Sequence, residues 1–302
     1  MPPAFAADLS DNALIAVTGD DARSFLHAQF TSDVEALAAG QAQWSGWCTA
    51  KGRLVATFLL LRRADDFLIM LPGEIAAAFV RRLSMFVLRA KVKIADASDA
   101  IARIGIAGDG ASSLVRSRWG SAPAPMRAVE RDGATCVALD EERFVAFGPA
   151  DLAARFPRGT RDGWEWAMIQ AGVPIVVAAT QEAFVPQMAN LELVGGVSFK
   201  KGCYPGQEIV ARTQYRGILK RRMALAHVGG GERPQPGQSV YSAAFGEQSA
   251  GTIVNAAPSP AGGYDALVVA QVESLARADL RWNSPDGPAM EIRKVPVPAS
   301  AA

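Results

Sequence analysis

Three apolar runs come in close succession: Trp44 to Thr49, Leu54 to Arg62 and Phe67 to Leu71. Each is too short for an ordinary helix and suits a pleated surface. Lys51-Gly52-Arg53 supplies the turn of a hairpin between the first two. Glu74 to Leu88 then changes to helical spacing, with Ile75, Phe79, Leu83, Phe86 and Val87 apolar. Strands joined so tightly pair antiparallel, and the helix has to bury its stripe against their sheet. The same order returns further on. Val92 to Ile94 and Ile101 to Ile106 read as short strands and Ser112 to Trp119 as a helix. Met126 to Val129, Thr135 to Leu139 and Phe144 to Phe147 read as strands and Asp162 to Ala171 as a helix. Gly120-Ser121-Ala122-Pro123-Ala124-Pro125 is a linker or long loop within this stretch. Near the start, Asp20 or Asp21 caps a helix through Ser24, Phe25, Leu26 and Gln29, and Thr31-Ser32-Asp33 restarts a second, short one. The fold class is therefore α+β with mostly antiparallel sheets.

From Leu219 the texture changes. Arg222 to Val228, Gly251 to Asn255, Ala266 to Val272 and Met290 to Val295 are strand-like and alternate with turn-rich runs such as Gly229-Gly230-Gly231. Short strands with such punctuation point to a small β-barrel or sandwich. The tail from Val295 to Ser300, with two prolines, is expected to be loose.

Composition excludes several functions. No apolar run approaches the roughly 20 residues of a membrane span, and Met1 to Asp8 carries no basic segment ahead of an apolar one, so neither a span nor a secretory leader is expected. Cys48, Cys136 and Cys203 lie far apart with no C-x-x-C pair, which fits a reducing cytoplasm and argues against a stably held metal or cluster. Two histidines, His27 and His227, are too few for a multi-histidine metal site. No glycine-rich phosphate loop follows a strand.

One stretch departs from the apolar pattern. Lys200-Lys201-Gly202-Cys203-Tyr204-Pro205-Gly206-Gln207-Glu208 gathers a thiol, a phenol, an amide, a carboxylate and two ammonium groups. With a helix starting at Pro205 or Gly206, Cys203 lies near its N-terminus, where the helix dipole and Lys201 favour the thiolate. The plainer alternative is a buried, inert S–H. Gln207 and Glu208 suit a heterocycle with adjacent N–H donors, and Tyr204 can stack on its ring. The alternative for Glu208 is an i,i+4 pair with Arg212. Lys200, Lys201, Arg212, Arg216, Lys220, Arg221 and Arg222 against Glu208 give this window a net charge of +6, which suits an anionic partner.

These residues carry a family resemblance. Pro186-Gln187-Met188-Ala189-Asn190-Leu191-Glu192, followed by the run from Gly195 to Arg212 with its K-G-C-Y-x-G-Q-E core, resembles the signature of the YgfZ family, folate-binding relatives of the aminomethyltransferase (T-protein) of the glycine cleavage system. The runs Gly19 to Gln29 and Thr31 to Val34, and Tyr215-Arg216-Gly217 with Lys220 to Arg222, are also similar. The resemblance implies two related α+β domains and a C-terminal β-barrel, with residues 1–215 as the folate-binding region, its two subdomains able to interleave in sequence, and residues 216–298 as the barrel. It implies tetrahydrofolate or a derivative as cofactor and support of iron–sulfur enzymes or their assembly, including enzymes that thiolate tRNA. It makes Lys201 and Cys203 the key positions, with Tyr204, Gln207, Glu208, Arg212 and Asn190 as the folate site. T-proteins carry an aspartate pair in a G-G-I-x-D-D run; here Ala56 and Thr57 stand in those places, which removes the electrostatic partner of an aminomethyl donor.

Three functions follow. The first is a cytoplasmic tetrahydrofolate-binding protein, its basic strip holding a polyglutamyl tail, that assists iron–sulfur cluster assembly or repair. The second is a folate-dependent one-carbon transferase. The third is a tRNA-binding accessory module using the same strip, though its aromatics are few for stacking.

Overall fold

A computed structural model of the chain describes residues 2–216 and 219–294. Gly217 and the Val295-to-Ser300 tail lie outside the described residues. In chain order the elements begin with Phe5–Asp8 (β1), Asn12–Thr18 (β2), Ala22–Gln29 (α1), Gln41–Cys48 (β3), Leu54–Arg62 (β4), Phe67–Pro72 (β5), Gly73–Ser84 (α2) and Lys93–Asp96 (β6). Ala102–Ala107 (β7), Ala111–Trp119 (α3), Ala128–Arg131 (β8), Ala134–Ala138 (β9), Arg143–Gly148 (β10) and Arg161–Gln170 (α4) follow. Then come Gln207–Arg216 (α5), Arg221–Val228 (β11), Ser239–Ser242 (β12), Gly251–Pro258 (β13), Tyr264–Gln271 (β14), Val272–Arg277 (α6), Leu280–Trp282 (β15) and Met290–Lys294 (β16). The chain divides into two compact units, one of residues 1–45 and 58–167 and the other of residues 46–57 and 168–302.

The first sheet has the order β3-β4-β5-β2-β6. Strand β4 is buried along nearly its whole length, which is why its sequence runs apolar without alternation. Helix α2 buries Ile75, Ala76, Phe79 and Leu83 on one stripe, and Phe79 joins Phe30 and Phe58 in an edge-to-face cluster with Phe58 4.6 Å from Phe30 and 5.7 Å from Phe79. The second sheet, β1-β7-β10-β9-β8, packs Ile104, Ile106 and Phe144 against Val115 and Trp119 of α3. On Gly105 of β7 a Cβ would meet the Trp164 indole at 2.4 Å, so glycine lets α4 close on the sheet. Both sheets are antiparallel in the pairings between β1, β7, β10, β9 and β8 and between β4, β5, β2 and β6.

The third sheet, β15-β12-β13-β14-β11-β16, is a curled, half-barrel sheet filled by Val228, Ile253, Val268, Leu280, Trp282 and Met290. A register shift between Ile253 and Asn255 aims the Asn255 amide at the backbone of Ile175, where it donates at 2.9 Å and accepts at 2.9 Å.

Four sequence expectations are corrected. Thr31-Ser32-Asp33 does not restart a helix; the segment bends, with Asp33 Oδ1 accepting from the Ala36 N–H at 3.0 Å. Asp21 does occupy the N-cap of α1, but its carboxylate accepts instead from the Lys91 N–H at 2.8 Å. Helix α2 stops at Ser84 although apolar spacing continues to Leu88: the Phe86 and Val87 N–H groups turn to the i−3 carbonyls of Leu83 and Ser84, and Leu88 then enters the left-handed region at φ 46. Strand β8 begins two residues late, since Met126 itself has φ 58.

Candidate functional site

The polar loop is irregular from Lys201 to Tyr204, turns at Pro205-Gly206 and enters α5 at Gln207. Gly206 decides its placement. Its φ is +80, and a Cβ there would stand 2.5 Å from both the Thr49 carbonyl oxygen and Gly52 Cα. The β3–β4 turn, closed by the Gly52 N–H on the Thr49 carbonyl at 2.9 Å, is therefore pressed directly against the start of α5. The same turn is tied at its far side by Arg53 Nη1 donating to the Ala183 carbonyl at 2.8 Å.

Within the loop the two flagged residues part company. Cys203 is exposed, so the buried-cysteine alternative falls. Lys201 is only 7% exposed, and its ammonium lies 5.0 Å from the centroid of the Tyr204 ring. Tyr204 is itself buried; burial, with a smaller contribution from Cys48, pushes its phenol well above the ordinary range and keeps it protonated. The Cys48 thiol is pushed up to about 12 by burial and is inert. Gln207 Nε2 reaches back toward the Lys201 carbonyl at 3.5 Å. Glu208 and Arg212 are both exposed and form no ion pair with each other, so the alternative i,i+4 reading of Glu208 is not realised.

The segment before the loop is built around one buried ion pair. Arg222 Nη1 donates to the Gln187 carbonyl at 2.6 Å and to Glu192 Oε1. Gln187 Nε2 donates to the Val210 carbonyl at 2.7 Å, and Asn190, at φ 55, donates from Nδ2 to the Met223 carbonyl at 2.8 Å. Burial raises the Glu192 carboxyl while Arg222 opposes the rise. Gln187 Oε1, Asn190 Oδ1 and Glu192 Oε2 are left buried without a partner, so this segment holds more acceptors than it is offered donors. Of this set, sequence reasoning names Asn190 as a candidate ligand residue and gives Gln187 and Glu192 only as part of the family signature. The available signal was two polar side chains in an otherwise apolar run. It also counted Lys201 and Arg222 in a basic surface, and both are buried. Among the residues whose burial is described, Lys200, Arg212 and Lys220 are its exposed members and Arg221 is half-buried.

The positions of the missing acids are also structural. Ala56 is fully buried. Thr57 Oγ1 donates to the Pro174 carbonyl at 2.8 Å and accepts from the Val176 N–H at 2.9 Å. Thr57→Val should therefore strand two backbone groups and lower stability by about 1–3 kcal/mol, read as a shifted midpoint in urea with an unchanged slope.

Among the described residues no group of three His, Cys, Asp or Glu side chains converges as a metal site, and no helix is long and apolar enough to cross a membrane. The family model of the GCVT N-terminal domain matches residues 4–129. A tRNA-modifying protein YgfZ from Vibrio vulnificus is 34% identical over 248 residues, 80% of this chain and 75% of that protein. Its counterpart from Serratia proteamaculans is 32% identical over 82% of this chain and 79% of its own. The chain belongs to the YgfZ family. The YgfZ fold found here is also that of the glycine cleavage system aminomethyltransferase T from Bartonella henselae, with a TM-score of 0.76 over 98% of this chain and 86% of that one at 16% identity.

Proposed function

We propose that this YgfZ protein binds tetrahydrofolate, or a derivative, against the loop and helix of residues 200–212, and that it assists assembly or repair of iron–sulfur enzymes in the cytoplasm, including enzymes that modify tRNA. The observation that carries the reading is the pairing of an exposed thiol at Cys203 with an adjacent helix turn whose Glu208 and Arg212 are not neutralised by each other. The chain's residues fit the ligand. Glu208 can accept two parallel N–H bonds from a reduced pterin. Exposed Lys200, Arg212 and Lys220 suit the carboxylates of a glutamyl tail. Lys201, held over Tyr204, sets the shape of the loop, and Cys203 acts as a transient thiol contact to a client cluster. The names of the curated relatives, tRNA-modifying proteins, support the link to tRNA. In this reading the two α+β sheets and the curled sheet are three domains, the last completing a barrel.

Group transfer is disfavoured by Thr57, whose hydroxyl is spent on Pro174 and Val176 where a T-protein has an acid. Calorimetric titration of tetrahydrofolate should show saturable binding to the wild type and binding weakened about ten-fold or more in Lys201→Ala. Cys203→Ala should bind folate normally yet fail to restore iron–sulfur enzyme activity in a strain lacking the gene. Full restoration by Cys203→Ala removes the thiol role, and an absence of any folate binding removes the whole reading.

A further inference from the structure

Beyond α2 the chain makes an apolar knuckle on the first unit. Met85 is 64% exposed, Phe86 44% and Leu88 89%. The other large apolar side chains exposed among the described residues, Leu193, Ile209, Tyr215 and Val272, are scattered along the chain. Exposed apolar side chains that adjoin in this way are where an interaction site is to be sought. Its shape is defined by the backbone. The Phe86 N–H donates to the Leu83 carbonyl at 3.1 Å, the Val87 N–H to Ser84 at 3.2 Å and the Ala90 N–H to Val87 at 2.8 Å. Leu88 is held at φ 46, a conformation a leucine adopts only when its surroundings impose it. Lys91 anchors the far end through its N–H on Asp21 Oδ2 at 2.8 Å.

The charge around the knuckle has one sign over a long stretch. From Ile75 to Ala95 there is no aspartate or glutamate, while Arg81, Arg82, Arg89, Lys91 and Lys93 are all basic. Carboxylates stand at one edge, where Asp20 pairs with Lys91 at 3.1 Å beside Asp21. We propose that residues 85–88 are a docking point for a partner protein that offers an apolar cleft rimmed by carboxylates. Complementary charge would steer that encounter and the three apolar side chains would anchor it. RNA suits the cations but has no use for Met85 and Leu88, which give no stacking face. A fixed turn gains an anionic bilayer nothing over a floppy one. The inference goes beyond the folate reading and uses none of its residues.

A photo-crosslinking amino acid placed at Phe86 in living cells, compared with one at Val272, identifies the contact, and the partner is then purified and titrated against the intact chain. The expected result is an adduct at position 86 that maps to an acid-rimmed apolar surface. Binding of the purified pair should weaken about ten-fold or more in Leu88→Asp and in Arg89→Glu and hold in Val272→Asp, with thermal midpoints unchanged. Three results overturn the proposal: no adduct at position 86 above the Val272 control, flotation with phosphatidylglycerol vesicles that Leu88→Asp abolishes, or loss of tetrahydrofolate binding in Leu88→Asp. The last would place the knuckle in the folate site. Wild-type folate binding is measured in the same series, so failure of the folate reading is seen separately.

Discussion

Arg222→Ala is expected to lower stability by about 3–5 kcal/mol, the largest effect of any single side-chain truncation near the site. The replacement leaves Glu192 buried opposite nothing and strips the Gln187 carbonyl of its donor. The loss should also depend on pH. Burial already raises the Glu192 carboxyl and Arg222 restrains the rise, so without Arg222 the folded state holds the proton still more readily than the unfolded chain does. A folded pKa above the unfolded one means that stability is fullest below the unfolded value, near 4.3 for glutamate, and falls as pH rises through the folded value. The variant's deficit should therefore shrink in acid, the opposite of a salt bridge lost by protonation. Guanidinium denaturation at about pH 5 and about pH 7.5 reads this directly. Pairing Arg222→Met with Glu192→Leu should recover most of the loss, because an apolar pair of similar volume needs no desolvation. A deficit independent of pH would mean that Arg222 acts only through the Gln187 carbonyl.

Gly206→Ala is the second large effect. A Cβ at φ +80 is strained, and here it is also driven into backbone at Thr49 and Gly52, which cannot rotate away as a side chain would. Strain and overpacking together should amount to roughly 2–5 kcal/mol. Gly195→Ala separates the two contributions. Gly195 has φ +78 but nothing within 4 Å of its Cβ position, so it should show the backbone strain alone, about 1 kcal/mol. Gly206→Ala should in addition alter the rate at which Cys203 reacts with a thiol reagent, because the loop loses its seat; Gly195→Ala should not. Equal losses at the two glycines would mean that the close approach of the β3–β4 turn carries no energy.

These two cases also mark how far the sequence could be read. The hairpin at Lys51-Gly52-Arg53, the polar loop and the start of α5 were legible because glycine and proline punctuate the chain locally. The buried set of Gln187, Glu192 and Arg222 was not, since it joins residues 30 or more apart and a charge run does not reveal which of its members points inward. Arg222 looked like surface for that reason. Helical spacing likewise carried α2 too far. Met85, Phe86 and Leu88 keep the apolar pattern that a buried stripe would show, and only their exposure distinguishes a knuckle from a core. Strand β1 gives little signal, since Ala6 and Ala7 make up half of it; β2 does carry Ile15, Val17 and Thr18, which suit a strand, and went unread.

The seat of Gly206 on the β3–β4 turn has a consequence for synthesis. The turn belongs with residues 168–302 although the chain on both sides of it folds with the first unit. A ribosome makes Thr49 long before Gly206, an interval on the order of ten seconds at bacterial rates of elongation. Through that interval Trp47, Cys48, Leu54 and Val55, all buried in the finished protein, wait at the tip of a hairpin whose binding surface does not yet exist. The nascent chain thus passes through a stage with a sticky, thiol-bearing ribbon on display. The thiol at Cys203 acquires its setting only when that ribbon is covered.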